Sequence, residues 1–205
     1  MKELSLNILD IAENSYKAGA SLVQILIDER LSEEQAEMTI ESGFPDFSAA
    51  GPDMILTITI VDDGCGMTEE VLAHVTDPFY TTRKTRAVGL GLPFFKMEAE
   101  MTGGYMTVES VSEKVDPEHK GTVVAAVFHE NSIDFIPLGD VVSTVTTLIQ
   151  GHPDIDLYFR HTKDGNEVSM DTREVRDALG PEVSLAEYEV IQWIGGSLRE
   201  EYEAF

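Results

Sequence analysis

The chain is poor in positive charge: 14 lysines and arginines stand against 38 aspartates and glutamates, a formal net charge of −24. Such a field repels phosphate backbones, and no basic patch offsets it, so nucleic acid is not an expected partner. Cysteine is nearly absent. A single thiol, Cys65, excludes an intrachain disulfide framework and a multi-cysteine metal site. No run of about 18 apolar residues is present, so no membrane span is expected. The N-terminus lacks the apolar core of a signal peptide, and the cytoplasm is the expected location. No internal repeat or low-complexity tract occurs. What is present is ordinary for a folded chain: 205 residues, 42% hydrophobic and 25% charged, enough for one full-sized domain and a smaller appendage.

Leu4, Ile8, Ile11 and Ala12 follow the spacing of a buried helical face, predicting a helix over 3–18. Leu22 to Asp28 and the cleanly alternating Ile55 to Val61 predict two strands, with an acidic, then Gly-, Pro- and Ser-rich surface excursion over 30–53. A short helix is expected over 68–75, a loop through about 88, and a helix from Leu90 to Met101 closed by Gly103-Gly104. Strands follow near 105–110 and 121–128. After His129 the character changes. A helix over 139–150 is predicted, then strands Asp156–Arg160 and Glu167–Met170 paired across Lys163-Asp164-Gly165-Asn166. Asp171-x-x-Glu174 and Ser184-x-x-Glu187 read as capping boxes opening two more helices. The division is residues 1–130 as one domain and 131–205 as a small α+β extension.

Three segments carry candidate chemistry. On the first helix Asn7, Asp10, Asn14 and Lys17 fall within an arc of roughly 80° on the polar side. Amide and carboxylate oxygens suit a hard cation, and an ammonium suits phosphate. On the second strand, alternation puts Asp62 on the same face as Leu56, Ile58 and Ile60. A carboxylate ending an apolar face needs a hydrogen-bond donor, and an exocyclic adenine amine is one. Gly64 and Gly66 let backbone approach a planar ring. Finally, Val88-Gly89-Leu90-Gly91-Leu92 leads into a helix whose N-terminus favours an anion. It is neither a Walker loop, lacking Gly-Lys-Ser/Thr, nor a Rossmann fingerprint, with Phe94 in the third glycine position.

Together these segments are far more specific than any one. Ala12-Glu13-Asn14-Ser15-Tyr16-Lys17-Ala18-Gly19-Ala20 resembles the N box of the GHKL superfamily, the Bergerat-fold ATP-binding domains. Asp62-Asp63-Gly64-Cys65-Gly66-Met67 is similar to its G1 box and Asp77-Pro78-Phe79-Tyr80-Thr81-Thr82-Arg83 to the F box of histidine kinases. Val88 to Leu92 resembles the G2 box, and Gly121-Thr122 the closing Gly-Thr. The five occur in family order over roughly residues 3–130. The resemblance implies an α/β (α+β) two-layer sandwich, a mixed, mostly antiparallel sheet with helices on one face, binding ATP with Mg2+. It implies that Asn14 ligates magnesium and that Lys17 contacts phosphate. Asp62 reads adenine with Thr122, and Gly64, Gly66 and Met67 belong to the adenine-pocket motif. Gly89, Leu90, Gly91 and Leu92 form the phosphate-facing motif, and Thr81, Thr82 and Arg83 belong to the lid. Ala87 replaces the first glycine of the usual G2 pattern, an expected stiffening. Asp10 occupies the position of a catalytic glutamate in hydrolysing relatives and of an asparagine in many histidine kinases. It is the candidate general base, and it leaves the chemistry open.

Three activities remain. The short stretch between Gly66 and Gly89, with its F-box-like segment, favours a kinase of histidine or serine on a separate partner protein, because only a few residues precede the N box. The second is an ATP-hydrolysing switch of the mismatch-repair or gyrase type, and the third a nucleotide sensor with negligible turnover. The extension over 131–205 is read first as a partner-docking module, with a cap over the sheet edge as the alternative. Oligomeric state is not legible. His74, His119, His129, His152 and His161 read as surface or packing residues, Met97 and Met101 as core, and Trp193 as an anchor for the last helix.

Overall fold

A computed structural model describes residues 2–31, 54–78 and 90–205. The excursion expected within 30–53 lies almost wholly outside these residues. So do Ala87 and the loop residues from Phe79 to Gly89.

Helix α1 (Leu4–Lys17) leads into strand β1 (Leu22–Leu31), then β2 (Met54–Asp62). A single-turn α2 (Glu69–Leu72) and helix α3 (Gly91–Met101) precede β3 (Tyr105–Val111) and β4 (Gly121–His129). Helix α4 (Val141–Gly151), the hairpin β5 (Asp156–Lys163) and β6 (Asn166–Asp171), then α5 (Thr172–Leu179) and α6 (Tyr188–Glu203) complete the described elements. The six strands form one mixed sheet in the order β3-β4-β2-β1-β5-β6. The β1–β5 pair is parallel and the other four pairs are antiparallel.

Period-two alternation decides which face the helices cover. Val23, Ile25 and Ile27 of β1, Leu56, Ile58 and Ile60 of β2, Val124, Ala126 and Phe128 of β4, and Leu157 and Phe159 of β5 are all buried. The alternate residues, among them Gln24, Leu26, Thr57, Thr59, Val123 and Ala125, stay partly exposed. Onto the buried face pack Leu4, Ile8, Ile11 and Ala12 of α1, Phe95 and Ala99 of α3, Val145 and Leu148 of α4, and Ile194 and Leu198 of α6. Each fully buried Leu, Ile, Val or Phe among them contributes about 1.5–3 kcal/mol, and the alanines less. Phe95 and Phe128 meet with ring centroids 5.4 Å apart, tying α3 to β4.

Residues 131–205 supply two strands of this same sheet. The β5–β6 hairpin turns through Asp164 (φ 50°) and Gly165 (φ 83°), the doubly left-handed geometry that matches strand twist and favours Asp-Gly. The segment also completes α1. That helix has no side-chain N-cap, and its first N–H groups are met by carbonyls: Leu4 donates to Pro137 at 3.0 Å and Ser5 to Leu138 at 2.8 Å. An uncapped helix start would otherwise leave buried donors unpaired. Asp171 caps α5 through the Arg173 N–H at 2.9 Å. Ser184 shapes the turn before α6 by accepting from the Ala186 N–H, while Glu187 occupies the helix N-cap position.

Three sequence readings are corrected. Asn7, placed on the polar arc, is fully buried. It sits about 40° from Ile11 on the helical wheel, at the edge of the apolar stripe, and its amide donates to Glu98 of α3 at 2.6 Å. Met97 and Met101 are 46% and 51% exposed, because Phe95 and Ala99 take the inward side of α3. Trp193 is 59% exposed, just outside the arc of Val190, Ile191, Ile194 and Leu198 that buries α6.

The end of α6 is held to β5 by polar contacts. Buried His161 shares one hydrogen bond with the Tyr202 hydroxyl at 2.8 Å and another with Glu29 at 3.0 Å, and Glu29 also pairs with Lys163. Burial pushes the Glu29 carboxyl up, but the bonds to His161 and Lys163 outweigh it and hold it below its ordinary value of 4.5. A depressed folded-state pKa gives stability that is complete above the unfolded value and lost as pH falls through the folded one. Thermal unfolding of wild type and Glu29→Gln between about pH 3 and 7 should therefore show a Tm difference that is full at neutral pH and shrinks below about pH 4.5.

Candidate functional site

The site is built where the apolar face of β2 ends. Asp62, the last residue of β2, faces Thr122 across the β2–β4 register and Val23 across the β1–β2 register. Its carboxylate is held at both oxygens. Ser15 of α1 donates to Oδ2 at 2.6 Å, and the Gly64 N–H donates to Oδ1 at 2.9 Å. Charge-assisted bonds of this kind are among the stronger ones, and they orient the group.

The loop after β2 is clamped from two sides. The Cys65 N–H donates to the Ala18 carbonyl at 2.9 Å, and the Cys65 carbonyl accepts from the Glu113 N–H at 2.9 Å. A Cβ on Gly64 would lie 2.9 Å from both the Ala18 Cβ and Asp62 Oδ1. Gly66 is left-handed at φ +63°, and a Cβ there would fall 1.9 Å from the Val111 carbonyl oxygen. The protein's own atoms thus fill the space these glycines leave, the Ala18 and Asp62 side chains at Gly64 and the β3 backbone at Gly66. Gly121 lets β4 begin directly against the Asp62 carbonyl, 2.1 Å from where its Cβ would be.

Asp63 fastens the same corner to β1. Its carboxylate accepts from the Ser21 and Leu22 N–H groups at 2.7 and 2.9 Å and from the Ser21 hydroxyl. Burial pushes this carboxyl up, yet those bonds prevail and hold it below its ordinary value.

The second half of the site is the start of α3. That helix has no side-chain cap, and Pro93 in its first turn removes one donor without harm. Gly91 lies against α1: a Cβ on it would be 2.4 Å from Asp10 Oδ2. A carboxylate beside a helix N-terminus is favourably placed by the dipole. Asn14 lies one turn further along α1, half-buried. The Asp10 carboxylate and the α3 N-terminus therefore flank one corner, and Asn14 follows on the same helix as Asp10; carboxylate and amide oxygens are the ligand types that suit Mg2+. Among the described residues, no group of three or more His, Cys, Asp and Glu side chains could hold a metal by itself.

A sequence model of the histidine kinase-, DNA gyrase B-, and HSP90-like ATPases matches residues 2–132. The chain belongs to this family. Sporulation kinase E of Bacillus subtilis (strain 168) is 33% identical over 123 residues, 59% of this chain but only 15% of that protein. Two solved structures share the fold. The N-terminal domain of a DNA repair protein superposes with a TM-score of 0.51 at 15% identity, covering 83% of this chain and 53% of that one. The MutL ATPase domain of Aquifex aeolicus, complexed with ADP, gives a TM-score of 0.50 at 12% identity, covering 87% and 69%. Among the described residues, no helix is long and apolar enough to cross a membrane.

Within this ATPase-family domain, the expected site residues fall into two groups. The fold brings Asp62, Gly64 and Thr122 together at the end of β2, with Gly66 and Met67 on the adjoining loop, and sets Asp10 against Gly91 between Leu90 and Leu92. Lys17 points elsewhere. Its ammonium donates to Glu13 at 3.0 Å on the exposed side of α1, and Glu13 also meets His152 at 2.8 Å. Burial raises the Glu13 carboxyl, and the bonds to His152 and Lys17 more than reverse this. Thr81, Thr82, Arg83 and Gly89 lie outside the described residues. Two residues with no role read from sequence take part. Ser15 anchors Asp62, and Ser110 of β3 accepts from the Met67 N–H at 2.8 Å. A polar residue four positions after Ile11, on the buried side of α1, was the available signal for Ser15.

The glycine geometry predicts a contrast. Gly19 and Gly66 share a left-handed φ, but a Cβ on Gly19 meets nothing within 4 Å. Gly19→Ala should cost about 1–2 kcal/mol, the left-handed penalty alone. Gly66→Ala must also displace the β3 carbonyl and should cost more, above about 3 kcal/mol. Urea unfolding of the two variants checks this.

Proposed function

We propose that the chain binds ATP with Mg2+ at this corner and transfers the γ-phosphoryl group to a separate protein. The observation that carries the reading is the Asp62 carboxylate, fixed by Ser15 and Gly64 at the rim of the apolar sheet face and level with Thr122. An acceptor-only group at the end of an apolar wall suits a flat ring carrying an amine. Phosphates then extend toward the uncapped N-terminus of α3, where backbone N–H groups from Leu90 to Leu92 face them. Asn14 would hold Mg2+ together with phosphate and water oxygens, and the ion when bound neutralises phosphate charge. This resolves the electrostatic problem of a chain with net charge −24: the anion is shielded locally.

Lys17 reaches phosphate in this reading only by leaving Glu13. The exchange is inexpensive, because an exposed ion pair of this type contributes roughly 0.3–0.5 kcal/mol. In transfer, the acceptor atom bonds to the γ-phosphorus as the bond to the β–γ bridging oxygen breaks, ADP leaves, and Asp10 takes the acceptor's proton. Likeness to a sporulation kinase supports the kinase reading. The partner docks on residues 131–205, where α6 exposes Trp193 and Tyr188.

A second reading has its own support. Asp10 beside Gly91 is equally placed to activate water, which would make the chain an ATP-hydrolysing switch, as the fold shared with MutL suggests. A sensor without turnover is the third. Incubation with γ-labelled ATP and Mg2+, alone and in cell extract, separates them. The proposal expects label on a second protein and little free phosphate from the chain alone. Steady phosphate release abolished by Asp10→Asn would replace it with the switch. Binding itself is tested by substitution: Asp62→Asn and Asn14→Ala should each weaken ATP·Mg affinity about ten- to a hundredfold by calorimetry. Wild-type affinity in both would remove the site.

A further inference from the structure

Ser110 sits opposite Thr122 in the β3–β4 register, behind the strand ends that carry the candidate nucleotide corner. Its hydroxyl has three neighbours. The Met67 N–H donates to it at 2.8 Å, the Gly121 carbonyl lies at 2.9 Å, and Thr122 Oγ1 lies at 2.9 Å. A serine hydroxyl has one proton and two lone pairs. A carbonyl can only accept, so the proton of Ser110 goes to Gly121. One lone pair takes the Met67 N–H. With all three contacts made together as hydrogen bonds, the one to Thr122 has a single assignment: Thr122 donates to the second lone pair of Ser110.

The consequence lies on the far side of Thr122. With its proton committed to Ser110, its hydroxyl has nothing but lone pairs left to offer. Asp62 is in the same condition, since Ser15 and Gly64 both donate to it. Two groups level in the β2–β4 register thus present acceptors only. Were the Ser110 hydroxyl missing, the Thr122 hydroxyl could rotate and offer its proton to a ligand carbonyl.

We infer that Ser110 is a specificity-determining residue for the nucleobase: by consuming the Thr122 proton it keeps the pocket floor acceptor-only, so that a base bearing an amine is taken and one bearing a carbonyl at the same position is refused. The inference rests on the ATP-binding reading above. It assigns to Ser110 no contact with nucleotide. Ser110 is a positioning residue acting through Thr122, and the Met67 N–H links it also to the loop after β2.

The test compares affinity for ATP and for inosine triphosphate, which carries a carbonyl in place of the amine. Wild type prefers ATP. In Ser110→Ala the ATP-over-inosine ratio falls at least about tenfold, mostly through tighter binding of inosine triphosphate. Ser110→Thr, which keeps the hydroxyl, retains the ratio. In a Thr122→Val background, Ser110→Ala leaves the ratio where Thr122→Val alone puts it, because the pair acts as one unit. Should Ser110→Ala fail to fold, Ser110→Cys, a poor acceptor and donor of similar shape, takes its place. An unchanged ratio in a folded Ser110→Ala or Ser110→Cys protein, equal loss of both affinities, or the same change in both backgrounds overturns the inference. A wild type that binds ATP without preferring it to the inosine nucleotide overturns the inference alone. A wild type that binds neither removes the ATP-binding reading with it.

Discussion

A carboxylate at the edge of a hydrophobic sheet face is a costly thing to hold still, and the arrangement around Asp62 is largely the means of holding it. Left dry and unpaired it would lose its hydration without compensation. Ser15 and the Gly64 N–H supply two donors, and each brings a separate element with it. Ser15 fixes the height of α1 over β2. Gly64 fixes the turn that follows, which Cys65 then pins to Ala18 and to Glu113. Asp63, the next residue, closes the corner on Ser21 and Leu22. Helix, sheet and loop are thus registered on one another within a few residues of the group that the proposal assigns to ligand recognition.

The opposite end of α1 depends on a different part of the chain. Its first N–H groups are satisfied by Pro137 and Leu138, and Thr144 donates to the Ser5 carbonyl at 3.1 Å. Residues after β4 therefore support the helix that carries Asp10, Asn14 and Ser15. His152, packed at a tilt against Tyr16 with 4.0 Å between ring centroids, reaches the Glu13 carboxylate that holds Lys17. Packing of α4 and the parallel pairing of β5 with β1 make these contacts part of one core.

Much of this was legible in the sequence for local reasons. The alternation of Leu56, Ile58, Ile60 and Asp62 needs only the two-residue period of a strand, and Leu4, Ile8, Ile11 and Ala12 only the helical one. The glycines announced the tight corner, although the nearest atoms they accommodate are Ala18 and Val111. What was not legible depends on neighbours distant in sequence. The proton inventory of Ser110 exists only once β3 and β4 are in register. Asn7 reads as polar surface until Glu98 of α3 arrives beside it. The parallel joining of β5 to β1 bridges more than 120 residues, Leu22 to Asp156, and no local pattern encodes it. Trp193 and the α3 methionines show the converse, apolar residues that periodicity alone cannot assign to core or surface.

The most direct test of the account is a crystal structure of the protein with Mg2+ and a non-hydrolysable ATP analogue. The account predicts the adenine amine within hydrogen-bond distance of the Asp62 carboxylate, the Ser15 and Gly64 bonds intact, and the phosphates beside Asn14 and the first turn of α3. An adenine seated elsewhere, or turned so that its amine faces away from Asp62, would contradict it.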